Sequence, residues 1–96
     1  MRLDKYLQVS RLVKRRTLAK ELCDAGRVQI NGRVAKAGAE VKEGDVIHLA
    51  VGMRWRRVEV LAVDQAAGRK GLSFYRLLEE GRMSDLPGGD NISGDG

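Results

Sequence analysis

A chain of 96 residues makes one domain, and at that size folding leaves only a small core. With 43% hydrophobic residues but only four aromatics (Tyr6, Trp55, Phe74 and Tyr75), that core is mostly Leu, Val, Ile and Ala, and a surface that stacks bases on several rings is poorly supplied. A single cysteine excludes an internal disulfide framework and a multi-cysteine zinc site, and the formal net charge of +5 points to an acidic partner.

The charge is unevenly spread. Residues 1–36 hold ten Lys or Arg against three Asp or Glu, net +7, whereas residues 37–78 are net +2 and residues 79–96 net −4. A basic excess confined to one third of a chain is the footprint of a polyanion-binding patch. There is no secretory apolar segment near the N-terminus and no long apolar run, which points to a soluble cytoplasmic chain without a membrane partner.

In chain order, the first predicted element is a helix over Arg2–Val9. Leu3, Tyr6 and Leu7 recur at three- and four-residue spacing and form one apolar face, with Arg2 and Lys5 on another. Asp4, in the first turn, suits the positive helix end or bridges to a nearby Arg or Lys. Ser10–Arg16 reads as a basic turn or a continuing helix, with Leu12 and Val13 directed inward and Arg11, Lys14, Arg15 and Arg16 short of carboxylate partners. A second helix is predicted over Thr17–Asp24, with Thr17 as N-cap. Its stripe is Leu18, Leu22 and Ala25, flanked by Ala19 and by Cys23 as a small buried residue. Gly26 fits the left-handed residue that ends a helix.

Asn31-Gly32 between Arg27–Ile30 and Arg33–Ala35 is a strong hairpin signal, because both central residues of a type I′ turn need positive φ. Val28, Ile30 and Val34 are expected to face the core. Ala37–Glu40 is a predicted loop, Val41 returns to the core, and Glu43-Gly44-Asp45 makes a turn. Val46–Val51 is a strand with Ile47, Leu49 and Val51 on one side and His48 on the other. A lone His there is structural or solvent-facing, since no second His accompanies it as a metal ligand.

Trp55–Val63 is the longest predicted strand. Arg54, Arg56 and Arg57 would extend the basic surface with Trp55 stacking on RNA; alternatively the segment is a charge-protected edge strand with Trp55 closing the core. Asp64–Gly71 reads as a loop and Ser73–Leu78 as a short strand or helical turn. The expected organisation is one domain over 1–80 and a disordered acidic, Gly-rich tail over 81–96. No phosphate-binding Gly loop, dinucleotide fingerprint, zinc-protease motif or nucleophile constellation is visible, so no catalytic residue, cofactor or metal is assigned and the chain reads as a non-enzyme.

The segments RLDKYL, SRLVKRRTLAKEL and AGRVQINGRVAKAGAEVKEGDVI resemble the αL RNA-binding domain named after small-subunit ribosomal protein S-four, over about Met1 to Val51. The resemblance implies an α+β fold in which two short N-terminal helices pack on a small, mostly antiparallel sheet. Over Met1–Val63 the chain is similar to the stand-alone branch of that family that serves bacterial ribosome-associated quality control, the RqcP type, a relative of heat-shock protein fifteen. That branch implies binding to obstructed large ribosomal subunits, with contacts to large-subunit rRNA and peptidyl-tRNA. It also implies support for RqcH during C-terminal poly-alanine tailing. Off the ribosome the chain is expected to be a monomer. Subunit recycling without tailing, and an accessory role in an rRNA or tRNA modification system, are the other readings. The family match carries an RNA-contact role to Arg2, Lys5, Arg11, Lys14, Arg15 and Arg16, and also to Lys20, Arg27, Asn31 and Lys36. The acidic C-terminus favours the RqcP type over the heat-shock relative.

Overall fold

The computed structural model describes residues 1–63 and 73–82. Two helices, α1 (Leu3–Val9) and α2 (Arg16–Asp24), precede five strands: β1 (Val28–Ile30), β2 (Arg33–Val34), β3 (Val46–Val51), β4 (Arg54–Val60) and β5 (Tyr75–Arg82). The strands form one antiparallel sheet in the order β2-β1-β3-β4-β5, as the α+β expectation required.

The helices cover one face of that sheet. Leu3, Tyr6 and Leu7 of α1 and Ala19, Leu22 and Cys23 of α2 join Val28, Ile47, Leu49, Val58 and Val60 in a single buried cluster. Alternation along β3 sends Ile47 and Leu49 to this core, while Val46 and His48 lie on the opposite face. Tyr6 ties the C-terminal strand to the helices. Its hydroxyl donates to the Phe74 carbonyl (2.7 Å), its ring meets Phe74 edge-on, and burial pushes its pKa far above the usual phenol value.

Helix α1 has no side-chain N-cap. Its first free N–H groups are satisfied by the 37–41 segment instead: Leu3 N donates to the Ala39 carbonyl (2.8 Å) and Asp4 N to the Ala37 carbonyl (3.1 Å). Helix α2 ends as expected on Gly26 at φ 75°, where Gly26 N donates to the Cys23 carbonyl (3.0 Å) and Arg27 N to the Leu22 carbonyl (2.9 Å). Those two bonds make a Schellman end, which turns the chain directly into β1. The Asn31-Gly32 turn has the expected positive φ at both residues, 53° and 85°.

Several expectations are corrected. Thr17 is not the N-cap; α2 begins one residue earlier, after Arg15, with no side-chain cap. The buried stripe of α2 is Ala19, Leu22 and Cys23, and Leu18 and Ala25 are exposed, because the helix is rotated to set its small residues against α1. Val34 is exposed rather than in the core, since β2 is a two-residue edge strand beyond the reach of the helices. Val51 is also exposed, as the last residue of β3 before the Gly52-Met53 turn.

Strand β4 is paired on both sides and so is not an edge, and it stops at Val60. Trp55 neither closes the main core nor stands free. Its indole lies against Gly81, where an added Cβ would come within 3.1 Å of the ring, and beside His48 at a ring-centroid distance of 5.4 Å. Burial, then the charge of Arg57, lowers the His48 pKa. The last strand runs four residues past the expected Leu78, to Arg82. The loop expected over Asp64–Gly71, and the tail from residue 83 onward, lie outside the described residues.

Candidate nucleic-acid interface

The basic surface is organised by Asp4. Its side chain is almost fully buried between the two helices. One oxygen accepts from Lys5 N (2.8 Å) and Arg2 Nε (3.2 Å); the other pairs with Arg16 Nε (3.3 Å). Asp4 therefore bridges to two arginines at once, one at the start of α1 and one at the start of α2. Burial alone would raise its pKa, but the hydrogen bonds from Arg2, Arg16 and Lys5 N outweigh it and hold the carboxyl below the usual range. The two guanidinium groups are each about half exposed, so their remaining N–H donors face solvent from a fixed position.

Ser10–Arg15 is a turn rather than continuing helix, and it presents the other cations of the cluster. Leu12 and Val13 are buried as expected, which anchors the turn from inside. Arg11, Lys14, Arg15 and Arg16 are exposed. Arg11 has φ 66°, a left-handed conformation that costs a non-glycine residue about 1–2 kcal/mol. The turn holds it there through bonds from Arg11 N to the Gln8 carbonyl (3.0 Å) and from Val13 N to the Leu7 carbonyl (3.0 Å). The uncapped N-terminus of α2 opens within this cluster, so the positive end of the helix adds to the arginines.

The remaining candidates are placed more loosely around it. Lys5 is half-buried on α1 beside the clamp, and Lys20 is exposed one turn along α2 from Arg16. Lys36 directly precedes the segment that caps α1, where Gly38 lies against the Arg2 guanidinium. Arg27 is exposed at the far end of α2. Asn31 is committed to the fold: its amide donates to Asp45 Oδ1 (3.1 Å) and accepts from Val46 N (2.9 Å), which locks the hairpin tip to β3.

The arginines of β4 are differently placed. Arg56 pairs with Glu80 (3.5 Å) and Arg57 with Glu79, so β5 neutralises them and they extend the basic surface little. Cys23 is buried, and desolvation followed by the Asp4 and Asp24 carboxylates pushes its thiol up to about 11, which fits a packing residue. No group of three or more His, Cys, Asp or Glu among the described residues is placed to hold a metal, and no described helix is long and apolar enough to cross a membrane.

The joint clamp was only half legible in the sequence. A carboxylate at position 4 signals a bridge to a neighbour, but nothing in the spacing shows that position 16 returns to it.

Comparison with known proteins identifies the family and the fold. The S4 domain family matches residues 1–47. The chain is 48% identical over 85 residues to the RQC P-site tRNA stabilizing factor of Halalkalibacterium halodurans, spanning 88% of this chain and 97% of that one. It is 57% identical over 87 residues to the protein of the same name from Helicobacter pylori, spanning 91% and 83%. Among solved structures, the trimeric heat shock protein 15 of Vibrio cholerae superposes with a TM-score of 0.69 at 30% identity, covering 81% of each chain.

Proposed function

The chain belongs to the S4-domain family that contains the RQC P-site tRNA stabilizing factors, and from that premise we propose that it holds tRNA and rRNA together on obstructed large ribosomal subunits. The observation that carries the reading is the Asp4 clamp. It sets Arg2 and Arg16 side by side, next to a turn that presents Arg11, Lys14 and Arg15. Arginine forks at fixed spacing suit phosphate oxygens of a folded RNA, and a surface with few rings suits shape reading more than base reading.

Lys5, Lys20, Arg27 and Lys36 widen the contact, and Asn31 serves by holding the hairpin in place. Bound in this way, the protein keeps the peptidyl-tRNA in the P site while RqcH extends the stalled chain with alanine. Binding needs no catalytic group on this chain and proceeds in the cytoplasm, with the protein monomeric until it docks.

Arg16→Ala tests the assignment. With about six phosphates contacted, log affinity should fall against log salt with a slope of about −4 to −5, and the variant should flatten that slope by about 0.7–0.9 while keeping the fold. Wild-type cosedimentation with obstructed large subunits across a salt series would refute it. The structural likeness to heat shock protein 15 favours a second reading, subunit recycling without tailing. Alanine tails on stalled chains decide between the two: their loss in cells lacking the protein supports the first reading, and intact tails with impaired recycling support the second.

A further inference from the structure

The β4–β5 ribbon is charge-complementary along its length except at one end. Arg56 faces Glu80, Arg57 faces Glu79 and Glu59 faces Arg76, and each of these pairs forms an ion pair. The last pair in the register is Arg54 opposite Arg82. Like charges directly across an antiparallel pair repel, and neither arginine has a carboxylate partner among the described residues. A groove of about 200 Å³ opens at this end, lined by Arg54, Trp55, Arg56, Glu80, Gly81 and Arg82. The Glu80 carboxylate in it is already taken by Arg56. The Trp55 indole N–H is also buried without an acceptor among the described residues, but alternation puts that ring on the other face of the ribbon, over Gly81 and beside His48.

One unfavourable feature is therefore left at this end of the ribbon: a repelling pair of cations beside an open groove. One anion between the two guanidinium groups relieves it. This end of the ribbon is separate from the Asp4 clamp. Ala50 N donates to the Arg27 carbonyl (3.0 Å), which puts it near the C-terminal end of α2, whereas Arg16 stands at the N-terminal end. The nine residues of α2 hold those two ends about 13 Å apart.

We propose that Arg54 and Arg82 form a second phosphate-binding site, distinct from the helix surface, that grips the backbone of an RNA segment. The proposal rests on the RNA-binding reading above and deepens it. A factor that holds one RNA against another needs two separated contacts, and a second site at the ribbon end supplies the other one. Guanidinium forks pair with carboxylates as well as with phosphates, so RNA is chosen over an acidic protein because the site extends the RNA-binding reading above.

The experiment is cosedimentation of the full chain with obstructed large subunits over a salt series, comparing wild type, Arg54→Gln/Arg82→Gln and Arg16→Ala, with thermal melts alongside. The double variant should lower the salt slope by about 0.7–0.9 in magnitude, which is about sixfold in affinity at 0.1 M salt when the lines are extrapolated to 1 M. It should melt at or above the wild-type temperature, because a repelling pair is gone. If the double variant matches wild type while Arg16→Ala flattens the slope, the second site is refuted and the helix surface stands. If neither variant changes the slope, the RNA reading itself fails. If the double variant loses subunit binding with an unchanged slope, the ribbon end contacts protein and the proposal is overturned.

Discussion

Substituting Asp4 by Asn separates two accounts of the basic surface, because they predict opposite signs. If net charge alone drives binding, removing a carboxylate strengthens RNA affinity. At a separation of about 8 Å and near-water screening, the gain is about 0.5 kcal/mol per nearby phosphate. If positioning matters, the same change weakens affinity. Asp4 holds two long side chains, Arg2 and Arg16, by contacts of 3.2 and 3.3 Å. Released, each must be ordered when RNA binds, at about 0.5–1.5 kcal/mol per side chain. The balance is a net loss of about 0.5–2.5 kcal/mol, or roughly 2- to 70-fold in affinity. Filter binding or cosedimentation at fixed salt measures it, and tighter binding by Asp4→Asn would refute the positioning argument.

Stability should fall with the same substitution. The carboxylate is buried but its partners are half exposed, so the loss is well short of that for a wholly buried pair, about 1–2 kcal/mol. That lowers the melting temperature by roughly 4–16 °C for a domain of this size. The pH dependence follows from the same carboxyl. Its folded pKa lies below the ordinary value of 3.8, so its stabilisation is fully present above that value and is lost as pH falls through the lower, folded pKa. The wild type should lose this contribution in acid below about pH 4, and Asp4→Asn should show a flatter acid limb there.

Two further outcomes are expected. Arg11→Gly removes the left-handed strain and should stabilise the fold by about 0.5–1 kcal/mol while weakening RNA binding, so a lower melting temperature or unchanged binding would count against the role given to that turn. Gly81→Ala forces a Cβ to within 3.1–3.2 Å of three indole atoms and should cost about 1–3 kcal/mol, with a red shift in the emission of the one tryptophan; an unaltered spectrum and melt would contradict the packing described.

Much of this protein was decided by local chemistry and so was legible in its sequence. Leu3, Tyr6 and Leu7 at helical spacing, Gly26 after a helix and Asn31-Gly32 between strands each encode a conformation within a few residues. The concentration of arginines in the first third is likewise plain, because charge is additive along a chain. Tertiary structure decided which of those charges stand free. Arg56 and Arg57 read as part of the basic surface until β5 lays Glu80 and Glu79 across from them, over twenty residues away in sequence. Arg16 reads as unpaired until α2 packs on α1 and brings it to Asp4. The rotation of α2 that buries Ala19 and exposes Leu18 has the same origin. Small and large apolar residues both satisfy a helical period, and only the space left beside α1 selects between them. An ion pair or a packing face belongs to two segments at once, so it has no signature in either segment alone.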